Sequence, residues 1–377
     1  MPRGKVAFFG PQYGMGGAGR VCADVGKALA RKGYDVDFLV DGSYSEGGYL
    51  EEGLPGNCRI IKLTDTDYSK FSYNPISVFG IIIKLVNYMS SSEVDILISN
   101  LTKFNIISIW ASLVPGLVRG VIIVEQNLLR TSLTNRSQII SNIVSTQYLF
   151  SDKIIAVSAD VKKDLCKNHG IKDGLCVTIR NPLDVENVIN KSIENVEHEW
   201  FLDSVPIILG VGRFVEQKQF SVLIESFELL TRREDVRLVL AGDGPLRKKL
   251  HSLAVELGIE ERVDFLGFVS NPYKYMRRAQ LLAISSQYEG FGVVVVEALA
   301  CGTPIVSTNC PGGPSDILND GEYGELVDVG DPNELAEAMA RTLKDPPDRD
   351  RLIDRARFYD VDKVADRYAT LIDGAMK

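Results

Sequence analysis

Histidine is scarce in this chain: three in 377 residues, at positions 169, 198 and 251. Cysteine is little commoner. Its six copies (22, 58, 166, 176, 301 and 310) are scattered, with no Cys-x-x-Cys pair. These shortages argue against a zinc site or a disulfide framework and fit a reducing cytosol. No long apolar run is free of breaks. Residues 106–124 are interrupted by Pro115, Gly116 and Arg119, so a helix and a strand are expected there in place of a membrane span. No secretory leader is expected, because Met-Pro-Arg-Gly-Lys runs straight into a strand. Excess positive charge is also missing. The net charge is −8, made of +4 over residues 1–182 and −12 over residues 183–377. So acidic a second half argues against nucleic-acid binding. The mildly basic first half is compatible with anionic lipid or an anionic acceptor. Residues 76–88 are apolar around Lys84. They read first as a core helix and second as a membrane-surface helix.

What is present is α/β alternation. A strand at 5–9, a glycine-rich loop, a helix from about residue 20 to 32 and a strand at 35–40 make a βαβ unit. Strands are expected again at 59–63, 95–99, 120–125, 153–157 and 176–179. Asn181-Pro182 stops this series, and the charged, irregular stretch 183–204 reads as a linker. A second series has strands at 207–211, 237–241, 262–265, 281–284 and 304–307. Helices are expected around 219–231, 245–257, 272–278 and 292–300. Two doubly wound parallel-sheet domains follow from this pattern. An amphipathic helix over 361–376 closes the chain after Pro346-Pro347.

The densest chemistry lies at 285–308. Glu289 and Glu297 stand eight residues apart, with Gly290, Phe291 and Gly292 where a loop turns into a helix. A helix start offers unpaired N–H groups and a positive dipole end, which suits phosphate. The plainer reading is a capped, buried helix, although four valines at 293–296 have strand propensity.

Other motifs carry less weight alone. Gly14-Met15-Gly16-Gly17-Ala18-Gly19 matches the dinucleotide fingerprint, with Asp41 about 20 residues on. However, Gly10-Pro11-Gln12-Tyr13 separate it from the strand, so a loop presenting amides to an anion is favoured. Asp-x-Asp occurs at 35–37, 65–67 and 348–350. Three matches in one chain weigh little, and all are read as solvated or capping acids in place of metal ligands. Gly212-Arg213-Phe214 with Lys218 ends a strand and offers a fork and a point charge for phosphate. Ala241-Gly242-Asp243-Gly244-Pro245-Leu246 ends another strand, and Gly267-Phe268-Val269 a third. These ends meet at the carboxyl edge of one parallel sheet, where open α/β folds bind ligands.

In this order the motifs resemble glycosyltransferase family 4, the retaining, nucleotide-sugar-dependent enzymes also known as glycosyl transferases group 1. The likeness is densest over 207–340 and includes Pro311-Gly312-Gly313-Pro314. It implies the GT-B fold, two Rossmann-like domains facing a central cleft. Residues 1–182 would be the acceptor side and 183–360 the donor domain, with the helix of 361–377 packing back on the first. It implies that Arg213 and Lys218 bind the donor diphosphate, that Glu297 holds the ribose and that Glu289 contacts the donor sugar. Gly212, Gly242 and the amides of Gly290, Phe291 and Gly292 would line the donor. The backbone at Phe268–Val269 would meet the base, and Gly16 and Gly17 would face the cleft. No metal and no cofactor are expected, the nucleotide-sugar being a co-substrate with UDP favoured. The expected acceptor is a lipid-linked or surface-polysaccharide precursor. The expected location is cytoplasmic, with peripheral contact through the N-terminal domain at the inner face of the membrane. Family members often carry a histidine where this chain has Gln126, which can hydrogen-bond a hydroxyl but cannot act as a base. Three other classes stay open: a dinucleotide-dependent oxidoreductase, a GT-B epimerase and a catalytically silent nucleotide-sugar-binding protein.

Overall fold

The computed structural model describes residues 2–10, 13, 17–44, 47–65, 75–129 and 138–376. The chain forms two compact units, Met1–Pro182 with Val361–Lys377 and Leu183–Asp360. The first is built on seven parallel strands: β1 (Lys5–Phe9), β2 (Asp35–Val40), β3 (Cys58–Lys62), β4 (Ile96–Asn100), β5 (Gly120–Glu125), β6 (Lys153–Ala156) and β7 (Cys176–Thr178). Their order is β3-β2-β1-β4-β5-β6-β7. The central strands β1, β4 and β5 are buried almost throughout, as sheets covered on both faces require. Its helices are α1 (Gly17–Arg31), α2 (Pro75–Ser92), α3 (Thr102–Ser112), α4 (Gln138–Tyr148) and the short α5 (Ala159–Lys163). The apolar stretch 106–124 divides between α3 and β5, as its breaks indicate.

The second unit has six parallel strands: β8 (Ile207–Val211), β9 (Arg237–Ala241), β10 (Val263–Gly267), β11 (Leu281–Ile284), β12 (Ile305–Thr308) and β13 (Glu325–Val327). They are ordered β10-β9-β8-β11-β12-β13. Helices α6 (Val185–Ser192), α7 (Phe220–Thr231), α8 (Arg247–Glu256), α9 (Tyr273–Arg278), α10 (Val293–Cys301), α11 (Pro314–Ile317), α12 (Pro332–Lys344) and α13 (Arg349–Ala356) surround them. Phe214, Phe227, Leu238, Leu240, Leu335 and Met339 lie in its core. The four valines of α10 adopt helix against their propensity. Residues 295, 296 and 298–301 are buried, so tertiary packing decides the conformation. The last helix, α14 (Val361–Ala375), belongs to the first unit, where Val361 and Ala365 pack on Ala28 and Lys32 bonds Asp366.

Three expectations need correction. The stretch 183–204 is not irregular throughout. It contains α6, capped by Asp184 accepting from the Asn187 amide, with Val185 and Val188 buried and packed on α9 and α10. Charged residues on its outer face hide that periodicity. Asp37 is neither solvated nor a cap: it is buried, bound bidentately by Arg59 and also by Tyr88. Register explains this, because Asp37 stands opposite Arg59 on the neighbouring strand. Finally, α1 begins at Gly17, three residues earlier than expected. Asp348 does cap a helix, accepting from the Arg351 amide, and Asp65 is exposed and paired with Lys62. Residues 66 and 67 lie outside the described residues.

Candidate active site

In the second unit, strand order reverses between β8 and β11, since β8 leads one way to β9 and β11 the other way to β12. The crevice at the carboxyl ends of such a pair is where open α/β sheets bind ligands. Two loops border it. One follows β8 and runs from Gly212 to Lys218. The other follows β11 and runs from Ser285 to Gly292, ending as α10 begins.

These loops are tied together. Lys218 Nζ donates to Glu289 Oε1 at 2.6 Å, and Ser286 Oγ donates to the same oxygen at 2.7 Å. The Ser285 hydroxyl donates to the Lys218 carbonyl, the Gln287 amide to the Gln217 carbonyl, and the Gln217 side chain to the Tyr288 carbonyl. Glu289 is 6% exposed, so its charge is matched by a lysine before any ligand arrives. Arg213 differs. It is exposed, and its guanidinium has no side-chain hydrogen bond or ion pair among the described residues. A fork with five donors is therefore open at the strand end.

The backbone around the crevice is close-packed, and glycine is needed for that. A Cβ on Gly242 would lie 1.8 Å from the Gly212 carbonyl oxygen. The Gly212 amide bonds the Ala241 carbonyl and the Gly242 amide the Gly267 carbonyl, so β8, β9 and β10 end in one hydrogen-bonded row. On the other side, a Cβ on Gly313 would lie 1.6 Å from the Phe291 carbonyl oxygen, and one on Gly312 2.1 Å from that of Glu289. The Glu289 amide bonds the Pro311 carbonyl. Thus the Pro311–Pro314 turn clamps the loop that presents Glu289. Gly290, Phe291 and Gly292 are buried, and Gly292 stands at the N-terminus of α10. Amides there can meet an anion. Glu297, half-buried in α10, accepts from Tyr273 Oη at 3.1 Å. Phe268 projects beyond β10, 79% exposed, with Val269 partly covered beside it.

In the first unit the reversal lies between β1 and β4. Gly16 is outside the described residues. Gly17 is exposed at the first position of α1. Gln126 is buried, and its amide exchanges two hydrogen bonds with that of Asn181, at 2.7 and 3.3 Å. This exchange fixes the orientation of the Gln126 amide and uses one of its two N–H donors.

Sequence reasoning missed four contributors. Ser286 and Tyr273 orient the two carboxylates, and neither spacing nor residue type distinguishes them beforehand. Asn181 is 55 residues from its partner. Glu125, at the end of β5, is fully buried. It accepts from Tyr148 Oη at 2.6 Å, from Thr102 Oγ1 at 3.1 Å and from the Asn127 amide at 3.3 Å. Burial pushes its carboxyl up to about 7, against the pull of these donors. A lone glutamate after an apolar strand would have been the signal.

Comparison with known proteins follows the same division. The family model described as Glycosyltransferase Family 4 matches residues 15–187, and that described as Glycosyl transferases group 1 matches residues 192–358. The chain is 29% identical over 371 residues to the N-acetylgalactosamine-N,N'-diacetylbacillosaminyl-diphospho-undecaprenol 4-alpha-N-acetylgalactosaminyltransferase of Campylobacter jejuni, covering 96% of this chain and 97% of that one. It is 27% identical to the N-acetyl-alpha-D-glucosaminyl L-malate synthase of Bacillus anthracis, over 95% and 93% of the two chains. Among solved structures, Anabaena HepE in complex with UDP and glucose superposes with a TM-score of 0.79 at 22% identity, covering 99% of this chain and all of that one. Sucrose-phosphate synthase from Thermosynechococcus elongatus gives 0.78 at 21%, over 98% of each chain. The fold is that of these GT-B glycosyltransferases.

Proposed function

Because the chain belongs to glycosyltransferase family 4 and transfers a sugar, we propose that it is a retaining, metal-independent hexosyltransferase. It would use a UDP-sugar and act on a lipid-linked or surface-polysaccharide precursor. The observation that carries this reading is the Lys218–Glu289 pair at the β8/β11 crevice, flanked by the open guanidinium of Arg213 and the N-terminus of α10. It supports a site for a diphosphate whose sugar lies against a carboxylate. The names of relatives point the same way: one carries diphospho-undecaprenol in its name, and HepE was crystallised with UDP.

In this reading Arg213 and Lys218 bind the diphosphate, with the amides of Gly290, Phe291 and Gly292 beside it. Glu297, held by Tyr273, takes the ribose hydroxyls. The row at Gly212, Gly242 and Gly267 admits the nucleotide, with Phe268 and Val269 at the base. Glu289 faces the sugar. The bond from the anomeric carbon to the phosphate oxygen breaks, and positive charge develops on the sugar. Arg213 and Lys218 stabilise the departing phosphate. That phosphate takes the acceptor hydroxyl's proton as the new bond forms on the same face. No protein base is required, in keeping with Gln126 standing where the family often has histidine. The acceptor would meet the N-terminal unit, at the inner face of the membrane.

The test is a panel of UDP-sugars with a lipid-diphosphate-linked sugar, reading UDP release and the anomeric configuration of the product by NMR. Transfer with the donor's α or β configuration kept is expected. An inverted product, an epimerised donor, or binding without turnover would overturn the reading.

A further inference from the structure

The three central strands of the first sheet carry one acid between them, Glu125, the last residue of β5. It is fully buried, and no cation faces it among the described residues. Asp37 in the same sheet is buried too, but Arg59 balances it. At Glu125 neutral donors replace the cation. Tyr148 Oη reaches it from α4 at 2.6 Å and Thr102 Oγ1 from the start of α3 at 3.1 Å. The Asn127 amide reaches it from the following turn at 3.3 Å, and the Gln126 amide adds to the same pull. Asn105 Nδ2 donates to Tyr148 Oη, which leaves the phenol's own hydrogen for Glu125. The cluster is thus wired for a carboxylate, whereas burial favours the neutral acid. The carboxyl is poised between the two, pushed up to about 7. The titratable group facing it is Tyr148, which burial and then the neighbouring carboxylate keep neutral. Beyond Thr102 and Asn105 lie Ser99 of β4 and the apolar Ala156 of β6, and Lys103 of α3 sits over the Phe104 ring.

The backbone beside it is strained. Leu101, between β4 and α3, has φ 75° and ψ 144°, close to a region that is essentially glycine's. Its amide donates to the Val124 carbonyl at 3.2 Å, Asn105 Nδ2 donates to the same carbonyl at 3.0 Å, and Thr102 is tied to Glu125. Strain of this kind persists only where its surroundings over-determine it, and it gathers at ligand sites. β4 is one of the two strands at the reversal of the first sheet. Glu125 therefore joins the loop after β4 to the turn after β5, at the edge where such a sheet takes a ligand. Gln126 in that turn is held by its side chain as well, through Asn181.

We propose that Glu125 is a positioning residue for the acceptor: as a carboxylate it fixes the turn at Gln126 and Asn127 against the start of α3, and so shapes the acceptor-binding edge of the first unit. It does not touch the acceptor and exchanges no proton with it. When it is protonated, the carboxyl must itself donate. Thr102 or Tyr148 then has to turn to accept, and the tie to the turn loosens. Acceptor binding should therefore strengthen as pH rises through about 7, while the donor crevice of the second unit does not respond. The folded state favours the neutral acid, so stability and acceptor binding pull in opposite directions. This role rests on the acceptor meeting the first unit, as proposed above.

Two readouts test it. The first needs no turnover. The NMR resonance of the Asn127 amide should titrate with a midpoint of about 7 in wild type and stay flat in Glu125→Gln. The second is kinetic. With saturating UDP-sugar and a short-chain lipid-diphosphate-linked sugar, kcat/KM for the acceptor should rise through the same midpoint. Glu125→Gln should lack that step and, at about pH 8, raise KM for the acceptor about tenfold or more, the scale of hydrogen bonds to a charge. UDP affinity should be unchanged. Tyr148→Phe keeps the carboxyl but removes a donor to its charged form, so it should move both midpoints up by about one pH unit. That variant also decides the matter where Glu125→Gln folds poorly, because a merely structural role would lower stability and leave the midpoints in place. Acceptor profiles that coincide in wild type and Glu125→Gln would overturn the proposal, as would UDP affinity falling in step with acceptor affinity. A flat Asn127 amide in a wild-type protein that does transfer sugar would overturn it alone. Absence of transfer, with the amide titrating, would instead fail the transferase reading and leave Glu125 as the holder of the turn.

Discussion

Lys218 and Glu289, 71 residues apart, meet at 2.6 Å across the point where the second sheet reverses its strand order. The lysine expected to serve phosphate is thus already neutralised by the carboxylate expected to serve the sugar. Breaking such a pair from one side leaves a buried charge uncompensated. Lys218→Met should therefore abolish most turnover and also cost about 3 kcal/mol of stability in urea unfolding. Adding Glu289→Gln should restore the stability while activity stays lost. A double variant as unstable as the single one would refute the pairing. Recovered activity would refute the role of Lys218 at the leaving group.

Charge on the departing phosphate is assigned to Arg213 and Lys218. Asp37, an acid of one Asp-x-Asp match, is consumed by Arg59 and Tyr88, and Asp348 by a helix cap. Activity should survive EDTA nearly intact, and Arg213→Lys should lower kcat by about tenfold or more, since an ammonium cannot reproduce a fork. Loss of activity in EDTA that manganese restores would contradict this.

Gly313→Ala should be far more damaging than a typical surface change. Its new methyl would overlap the Phe291 carbonyl, so the loop carrying Glu289 must move. Donor affinity should fall by about tenfold or more and stability by about 1–3 kcal/mol, the range for overpacking a close contact. Gly330→Ala is a control with open space but a positive φ of 80°, so it registers backbone strain alone. Equal effects of the two on donor affinity would remove the clamp from the argument.

Strand ends were legible because parallel strands are short apolar runs that stop at glycine or at charge. β1, β2, β5, β8, β9 and β11 have the bounds read from sequence. In the second unit α6, α11, α12 and α13 passed unnoticed, although α12 announces itself: Asp331 caps it, Pro332 follows and Glu334 closes the first turn. The β13 strand is only three residues long, too short to show a period. Long-range polar pairing was illegible for a different reason. Gln126 with Asn181, Asp37 with Arg59, and Glu125 with Tyr148 are joined by register and packing, neither of which leaves a local pattern.

Glu125 makes folding depend on pH. Its carboxyl is raised from 4.5 to about 7 by burial. Between these values the folded chain binds the proton more tightly than the unfolded one. The contribution is therefore fully present below about pH 4.5 and lost as pH rises through 7, in all on the order of 3 kcal/mol. Glu125→Gln cannot titrate. The stability difference, wild type minus variant, should fall between pH 5 and pH 8 in urea unfolding. A difference that is flat over this window would mean that Glu125 is ionised throughout and held by its donors.

Glu289 and Glu297 should do different work at one donor. Glu297 sits inside α10, oriented by Tyr273, next to nothing that reacts in the proposed chemistry. Its proposed partner is the ribose, whose bonds do not change. Removing that contact weakens the ground state and the transition state alike, so Glu297→Gln should raise Kd for UDP and KM for the donor and leave kcat nearly unchanged. Tyr273→Phe should move the same quantities by a smaller factor. Glu289 is at the loop, with Lys218 and Ser286 sharing one of its oxygens. That arrangement leaves Oε2 for the sugar, whose anomeric carbon becomes positive as the phosphate leaves. Glu289→Gln keeps the shape and removes the charge, so kcat should fall by about 100-fold or more, the scale of losing one electrostatic contact to developing charge. UDP affinity should change little. The measurements are UDP affinity by calorimetry and turnover at saturating donor for each variant. If Glu289→Gln loses UDP while Glu297→Gln keeps it and slows turnover, the donor lies in the crevice the other way round.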